Sequence, residues 1–290
     1  MFLQSEAPID TRQPPNDKIE FSRSLAFSVE LRWFTFTIIV MRKTVIAGNW
    51  KMYKTPEESL GFLDVFLPEV VGHTGDEILL FPSETSLSTV LRRIEGSVVK
   101  AGAQTMHWAK EGPYTGQTSA AMLKAIGTTH VLLGHSEQRA YQAETYEQVH
   151  LKIRAAFEAG LKPVVCVGEL LDERQAGVTK DILLSQLGAA LANLPDEAMQ
   201  TMIIAYEPVW AIGTGLTAST EQANEAHTII REQLRTLFHD SVADAMRILY
   251  GGSVKPNNSA SLLAQPEIDG LLIGGASLDP ISLLSILKNR

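Results

Sequence analysis

From residue 41 onward the chain repeats one alternation, a short apolar run followed by a longer amphipathic stretch. The runs at 44–47, 77–81, 98–103, 130–133, 163–167, 202–206, 247–250 and 270–273 read as strands, and the stretches between them as helices. The helix starts are legible. Thr55 caps, Pro56 takes the first turn and Glu57 and Glu58 follow, while Ser219 and Gln222 form a capping box. The helix over 145–159 closes on Gly160. Eight βα units in about 250 residues predict a (β/α)8 barrel, with an open doubly wound sheet as the alternative.

A barrel presents the carboxyl ends of all its strands to one face, so functional groups belong just after the strands. Asn49 and Lys51 follow the first, Gly134, His135, Ser136 and Glu137 the fourth, and Gly168 and Glu169 the fifth. Glu207 follows the sixth, Gly251, Gly252 and Ser253 the seventh, and Gly274 and Gly275 the eighth.

Glu207 is the centre of this pattern. Pro208 stops its strand, because proline lacks the N–H for the next ladder bond and biases the preceding residue toward extended geometry. Pro208, Val209, Trp210, Ala211 and Ile212 then form an apolar stretch that runs through Gly213 and Thr214 to Gly215. A carboxylate on a rigid mount, followed by a flap with permissive glycines, suits a general base under a lid. Taken alone, Glu207 reads equally well as a helix cap or the partner of a surface lysine.

Paired glycines often do no more than make tight turns. Two pairs on neighbouring strands seven and eight would instead expose backbone N–H groups as a nest for phosphate. His135 precedes a helix start whose N–H groups would disfavour a charged imidazole, which points to a neutral proton donor rather than a structural histidine. Lys51, otherwise a solvated amine, would bring a cation to an anionic substrate. Base, imidazole, ammonium and phosphate nest together suit proton abstraction next to a carbonyl, with the enediolate oxygen stabilised by Lys51 and His135.

Composition narrows the class. Of 290 residues 45% are hydrophobic and 20% charged, which suits one large core. A net charge of −8 without a basic cluster argues against nucleic-acid or polybasic membrane partners. The six histidines other than His135 show no ligand spacing with one another or with the acids, so no metal is expected. Cys166 is the single cysteine and lies in an apolar run, which predicts a packed thiol and a reducing compartment. Residues 1–40 are expected to be an extension that is unordered or outside the native chain, with Met41 as the start and the barrel over 41–290.

The stretches Ala47 to Lys51, Gly134 to Glu137, Ala205 to Gly215, Tyr250 to Ser253 and Gly274 to Ser277 resemble, in order and spacing, the triosephosphate isomerase family. The resemblance covers residues 41–290 and implies a TIM barrel and the aldose–ketose isomerisation of dihydroxyacetone phosphate and D-glyceraldehyde 3-phosphate, in glycolysis and gluconeogenesis. The family is itself the general illustration of a glutamate base and a neutral histidine under a closing loop. By resemblance Glu207 is the base, His135 shuttles protons between the two oxygens, Lys51 and Asn49 stabilise charge, and Glu137 orients the lysine. Gly213, Ser253, Gly274 and Gly275 hold the phosphate, and residues 208–215 close over it.

The resemblance also implies a cytoplasmic homodimer without cofactor, in which the loop from Gln104 to Ser119 carries Thr115 to the partner's Asn49. Two residues depart from the pattern: Gln138 stands where arginine is common and Thr105 where asparagine is common. Both bear on the expected dimer contacts. Another phosphate-binding barrel enzyme and a non-catalytic barrel are the competing readings.

Overall fold

A computed structural model describes residues 42–289, within the second of two units, residues 1–39 and 40–290. The expectation for residues 1–40 lies outside the described residues.

Eight strands pair in sequence order, all parallel, and the eighth returns to the first to close the barrel. They are β1 Val45–Asn49, β2 Glu77–Phe81, β3 Val99–Ala103, β4 His130–Leu133, β5 Lys162–Val167, β6 Ile203–Tyr206, β7 Arg247–Tyr250 and β8 Gly270–Ile273. The boundary that matters is at β1. It runs two residues further than its apolar run suggests, because Gly48 and Asn49 continue the register opposite Leu80 and Phe81 of β2. Asn49 is thus the last residue of a strand and not part of the loop beyond it.

The strands are apolar along nearly their whole length because both faces are covered. Val45, Ala47, Leu79, Phe81, Leu132, Val164, Cys166, Ile203, Ala205, Leu249 and Leu272 fill the lumen. Alternate residues such as Ile46, Ile78, Leu80, Val165 and Ile204 face the outer layer, where they meet the helices. Cys166 is fully buried in the lumen, and burial pushes its thiol pKa well up.

The helices begin as their capping residues dictate. Thr55 and Glu58 cap the helix Pro56–Glu69 reciprocally, and Ser219 and Gln222 do the same for Thr220–Leu237. Thr145 caps Tyr146–Glu158, and the chain leaves that helix at Gly160 with φ +70°. No described helix is long and apolar enough to cross a membrane.

Charge closes the amino-terminal face of the barrel. Glu77 on β2 reaches across to Arg247 on β7 and sideways to Lys100 on β3, at 2.6 Å from the latter. Burial would raise this carboxyl, but the two cations outweigh it and hold it down to about 2. Behind the wall, buried Arg231 of the helix Thr220–Leu237 pairs with Asp269 at 2.6 Å and Glu267 at 3.1 Å, and Arg42 binds the other oxygen of Asp269. The opposite rim, where the strands end, carries none of these ion pairs.

Candidate active site

At the carboxyl ends of the strands lies a cleft of about 670 Å³. Asn49, Lys51, His135, Glu207, Gly213, Ser253, Gly274 and Gly275 line it together. They come from β1, β4, β6, β7 and β8 and the loops after them, so a single closed sheet gathers groups up to 226 positions apart.

Glu207 is almost fully buried, and its N–H donates to Val167 O at 2.8 Å, extending the β5–β6 register by one residue. A Cβ on Gly168 would sit 1.7 Å from Glu207 O, so only glycine lets the two strand ends approach this closely. The carboxylate accepts the Ser136 N–H at 2.9 Å through one oxygen and meets His135 Nε2 at 2.9 Å through the other. Burial alone would raise this carboxyl, yet the imidazole and the N–H outweigh it and lower its pKa below the ordinary glutamate value.

His135 caps the helix Ser136–Gln142, and its Nδ1 accepts the Glu137 N–H at 3.2 Å. That donor leaves Nδ1 without a proton, so the ring carries its hydrogen on Nε2, toward Glu207. Burial disfavours an imidazolium, but the adjacent carboxylate outweighs it and raises the pKa of the ring. The neutral ring expected from the sequence thus has a backbone N–H on its side and Glu207 against it. A substrate oxygen that took Nε2–H from the carboxylate would remove the opposing influence.

Lys51 is held in an uncommon backbone conformation, φ +51°. Its N–H donates to Asn49 Oδ1 at 3.0 Å, and its carbonyl accepts from Gln104 Nε2 at 2.8 Å. The ammonium pairs with Glu137 at 2.6 Å, and a Cβ on Gly274 would lie 3.5 Å from the lysine stem. The side chain is therefore aimed over the glycine cradle by its partners at both ends.

Of the flap residues, Ala211, Ile212 and Gly213 face the cleft. Val209–Ala211 form a short 3-10 turn, and Gly213 and Gly215 take φ of +71° and +84°. Gly252 is also forced, since a Cβ there would meet the Tyr250 hydroxyl at 2.3 Å and Pro208 Cγ at 2.9 Å. Pro208, Val209, Trp210, Thr214 and Gly215 lie outside the lining, as does Glu137, which joins the site through Lys51 and through its N–H to His135. Thr115 is exposed and lines a separate depression of about 690 Å³ with Thr105 and Gln138.

Sequence reasoning missed three supports. Buried Glu169 accepts both the Tyr206 hydroxyl and the Trp210 indole N–H at 3.0 Å through one oxygen, anchoring the base of the flap. Its position after β5 was the only signal. Gln104 also binds Phe81 O at 2.9 Å, and nothing in its local sequence betrays this. Glu144, paired with Lys152, accepts the Gly134 N–H at 2.9 Å and so fixes the peptide before His135. Among the described residues no group of three or more His, Cys, Asp or Glu is placed to hold a metal ion.

The family model for triosephosphate isomerase matches residues 44–290. The chain belongs to the triosephosphate isomerase family. It is 51% identical over 248 residues to the triosephosphate isomerase of Solibacter usitatus, covering 86% of this chain and 100% of that one. It is 50% identical to that of Carboxydothermus hydrogenoformans, over 86% of this chain and 99% of that one. The crystal structure of triosephosphate isomerase from Bartonella henselae superposes with a TM-score of 0.77 at 40% identity, covering 84% of this chain and 98% of that one.

Proposed function

We propose that this protein is a triose-phosphate isomerase that interconverts dihydroxyacetone phosphate and D-glyceraldehyde 3-phosphate through an enediolate, in glycolysis and gluconeogenesis. The observation that carries the reading is the cleft in which Glu207, His135 and Lys51 face the glycine turns after β7 and β8.

Glu207 removes the proton from the carbon next to the ketone and returns it to the neighbouring carbon. Its carboxylate rests on Ser136 N–H and His135. Substrate oxygens that engage His135 Nε2–H release the carboxylate toward the C–H bond. The electron pair of that bond moves onto the carbonyl oxygen, where the Lys51 ammonium, the Asn49 amide and the imidazole stabilise the charge. His135 then moves the proton between the two oxygens. Backbone N–H groups of Gly213, Ser253, Gly274 and Gly275 hold the phosphate, and closure of the flap keeps water and free rotation from ejecting it.

A homodimer with Thr115 reaching the partner's site fits the same reading. Met52 and Tyr53 after β1 and Tyr141 on the helix Ser136–Gln142 are 93%, 60% and 80% exposed, apolar surface that a second copy would cover. Sedimentation equilibrium tests it, and a monomer at micromolar concentration would count against it. A cytoplasmic location accords with a single buried thiol.

A coupled assay with dihydroxyacetone phosphate, without added metal or cofactor, tests the reaction. Glu207→Gln should lower turnover by ~10²–10⁴-fold, the usual effect of losing a positioned base. Near-normal turnover in that variant would overturn the assignment.

A further inference from the structure

The cleft presents one cation that the proposed chemistry leaves unused. Beside the Tyr53 phenol, its charged or titratable lining groups are Lys51, His135, Glu207 and Lys255. The first three are committed: Lys51 to Glu137 at 2.6 Å, and His135 and Glu207 to each other at 2.9 Å. Lys255 is exposed and has no ion-pair partner among the described residues.

The loop that carries Lys255 is tied down by two side-chain amides. Asn258 accepts the Lys255 N–H through Oδ1 at 2.8 Å and donates from Nδ2 to Ser253 O at 3.0 Å. Asn289 Nδ2 donates to Pro256 O at 2.7 Å. The amide of Asn258 thus fixes Lys255 relative to Ser253, two residues away, in the turn that offers its N–H to phosphate. An exposed lysine anchored in this way keeps its ammonium near the mouth of the phosphate end while its stem remains free to follow a ligand.

The charge balance gives that position a task. The chain carries a net charge of −8, and Glu207 is buried at the floor of the cleft, so a phosphate dianion approaches a protein of like sign. A cleft with low-dielectric walls focuses the field of an unpaired cation at its mouth. We propose that Lys255 is the steering residue of this cleft, drawing the dianionic substrate to the glycine cradle without taking part in proton transfer. The proposal rests on the reading of the cleft as a triose-phosphate site, and it adds a residue that sets the rate and affinity of capture.

The test is steady-state kinetics with dihydroxyacetone phosphate on the full chain, comparing wild type with Lys255→Met, Lys255→Glu and Lys255→Arg. At ~10 mM ionic strength, where the Debye length is about 30 Å, Lys255→Met should lower kcat/KM about three- to five-fold and Lys255→Glu further, with kcat unchanged. Lys255→Arg should retain the wild-type value. At ~1 M ionic strength, where screening acts within about 3 Å, the deficits should shrink below about two-fold. Competition by inorganic sulfate, read by intrinsic tryptophan fluorescence, provides the same comparison without turnover.

Wild-type kcat/KM in both Lys255→Met and Lys255→Glu at low ionic strength would overturn the proposal, as would a deficit of equal size at both salt concentrations or one confined to kcat. Inactive wild type would overturn the isomerase reading instead, and the sulfate comparison would still decide whether Lys255 draws a dianion into the cleft.

Discussion

Gln104 holds the carbonyl of Lys51: its amide donates to Lys51 O at 2.8 Å and to Phe81 O at 2.9 Å, while the lysine sits at φ +51°. A non-glycine residue in that region carries strain of order 1–3 kcal/mol, which the surroundings must sustain. Gln104→Ala removes the restraint, so Lys51 should relax toward ordinary backbone angles and carry its ammonium away from its proposed place at the substrate oxygens. The expected result is a fall in kcat of roughly ten-fold or more, up to the size of the released strain. Inhibition by sulfate should change much less, because the cradle after β7 and β8 is untouched. Parallel measurement of kcat and the sulfate inhibition constant separates the two effects.

The contact between His135 and Glu207 makes a prediction in pH. The imidazole helps to hold the Glu207 carboxyl below its ordinary value, so the proposed base is lost only as pH falls through that lowered pKa. His135→Gln removes the partner and should move the acid limb of kcat/KM to higher pH, in addition to lowering its plateau. A profile of the variant between pH 4 and 8 decides the matter, and an acid limb at or below the wild-type position would contradict the arrangement.

Acid stability depends on two histidines remote from the chemistry. Burial depresses His130 and His227 to about 3 each; Glu77 opposes it at His130, and the Glu267 carbonyl opposes it at His227. In the unfolded chain both would titrate near the ordinary 6.5, so the stability carried by their neutral forms is complete above that value. It is lost progressively as pH falls from 6.5 toward 3, at roughly 1.4 kcal/mol per pH unit for each histidine. His227→Gln should flatten this dependence in urea unfolding at pH 7 and pH 5. An unchanged slope would show that other groups dominate.

Arg231→Met probes the network behind β8. The guanidinium is buried and satisfies Asp269, Glu267 and the carbonyls of Ala243 and Met246. Its loss leaves buried acceptors with Arg42 as the remaining cation near Asp269. A destabilisation of about 3–5 kcal/mol is expected from breaking one side of such a pair. Chemical denaturation measures it, and activity per folded molecule should remain normal because the network lies away from the cleft.

The amino-acid sequence by itself determined the eight βα units, the helix caps and the order in which polar groups follow strands. These are local properties: a strand buried on both faces must be a continuous apolar run, and Thr55 or Ser219 completes its bonds within three residues. Glu207, His135 and Lys51 were legible because they stand just beyond such runs, where a parallel barrel exposes groups.

Only the tertiary structure decided how those groups are held. Asn49 belongs to β1 because Phe81, 32 positions later, extends the register past the apolar run. Gln104 reaches Lys51 across 53 positions, and Glu169 reaches Trp210 across 41. Gly168 must be glycine because the Glu207 carbonyl occupies the place of its side chain. Hydropathy and spacing report what one segment needs from solvent. A hydrogen-bond partner, or the volume claimed by a neighbour, exists only after barrel closure has brought distant strand ends together.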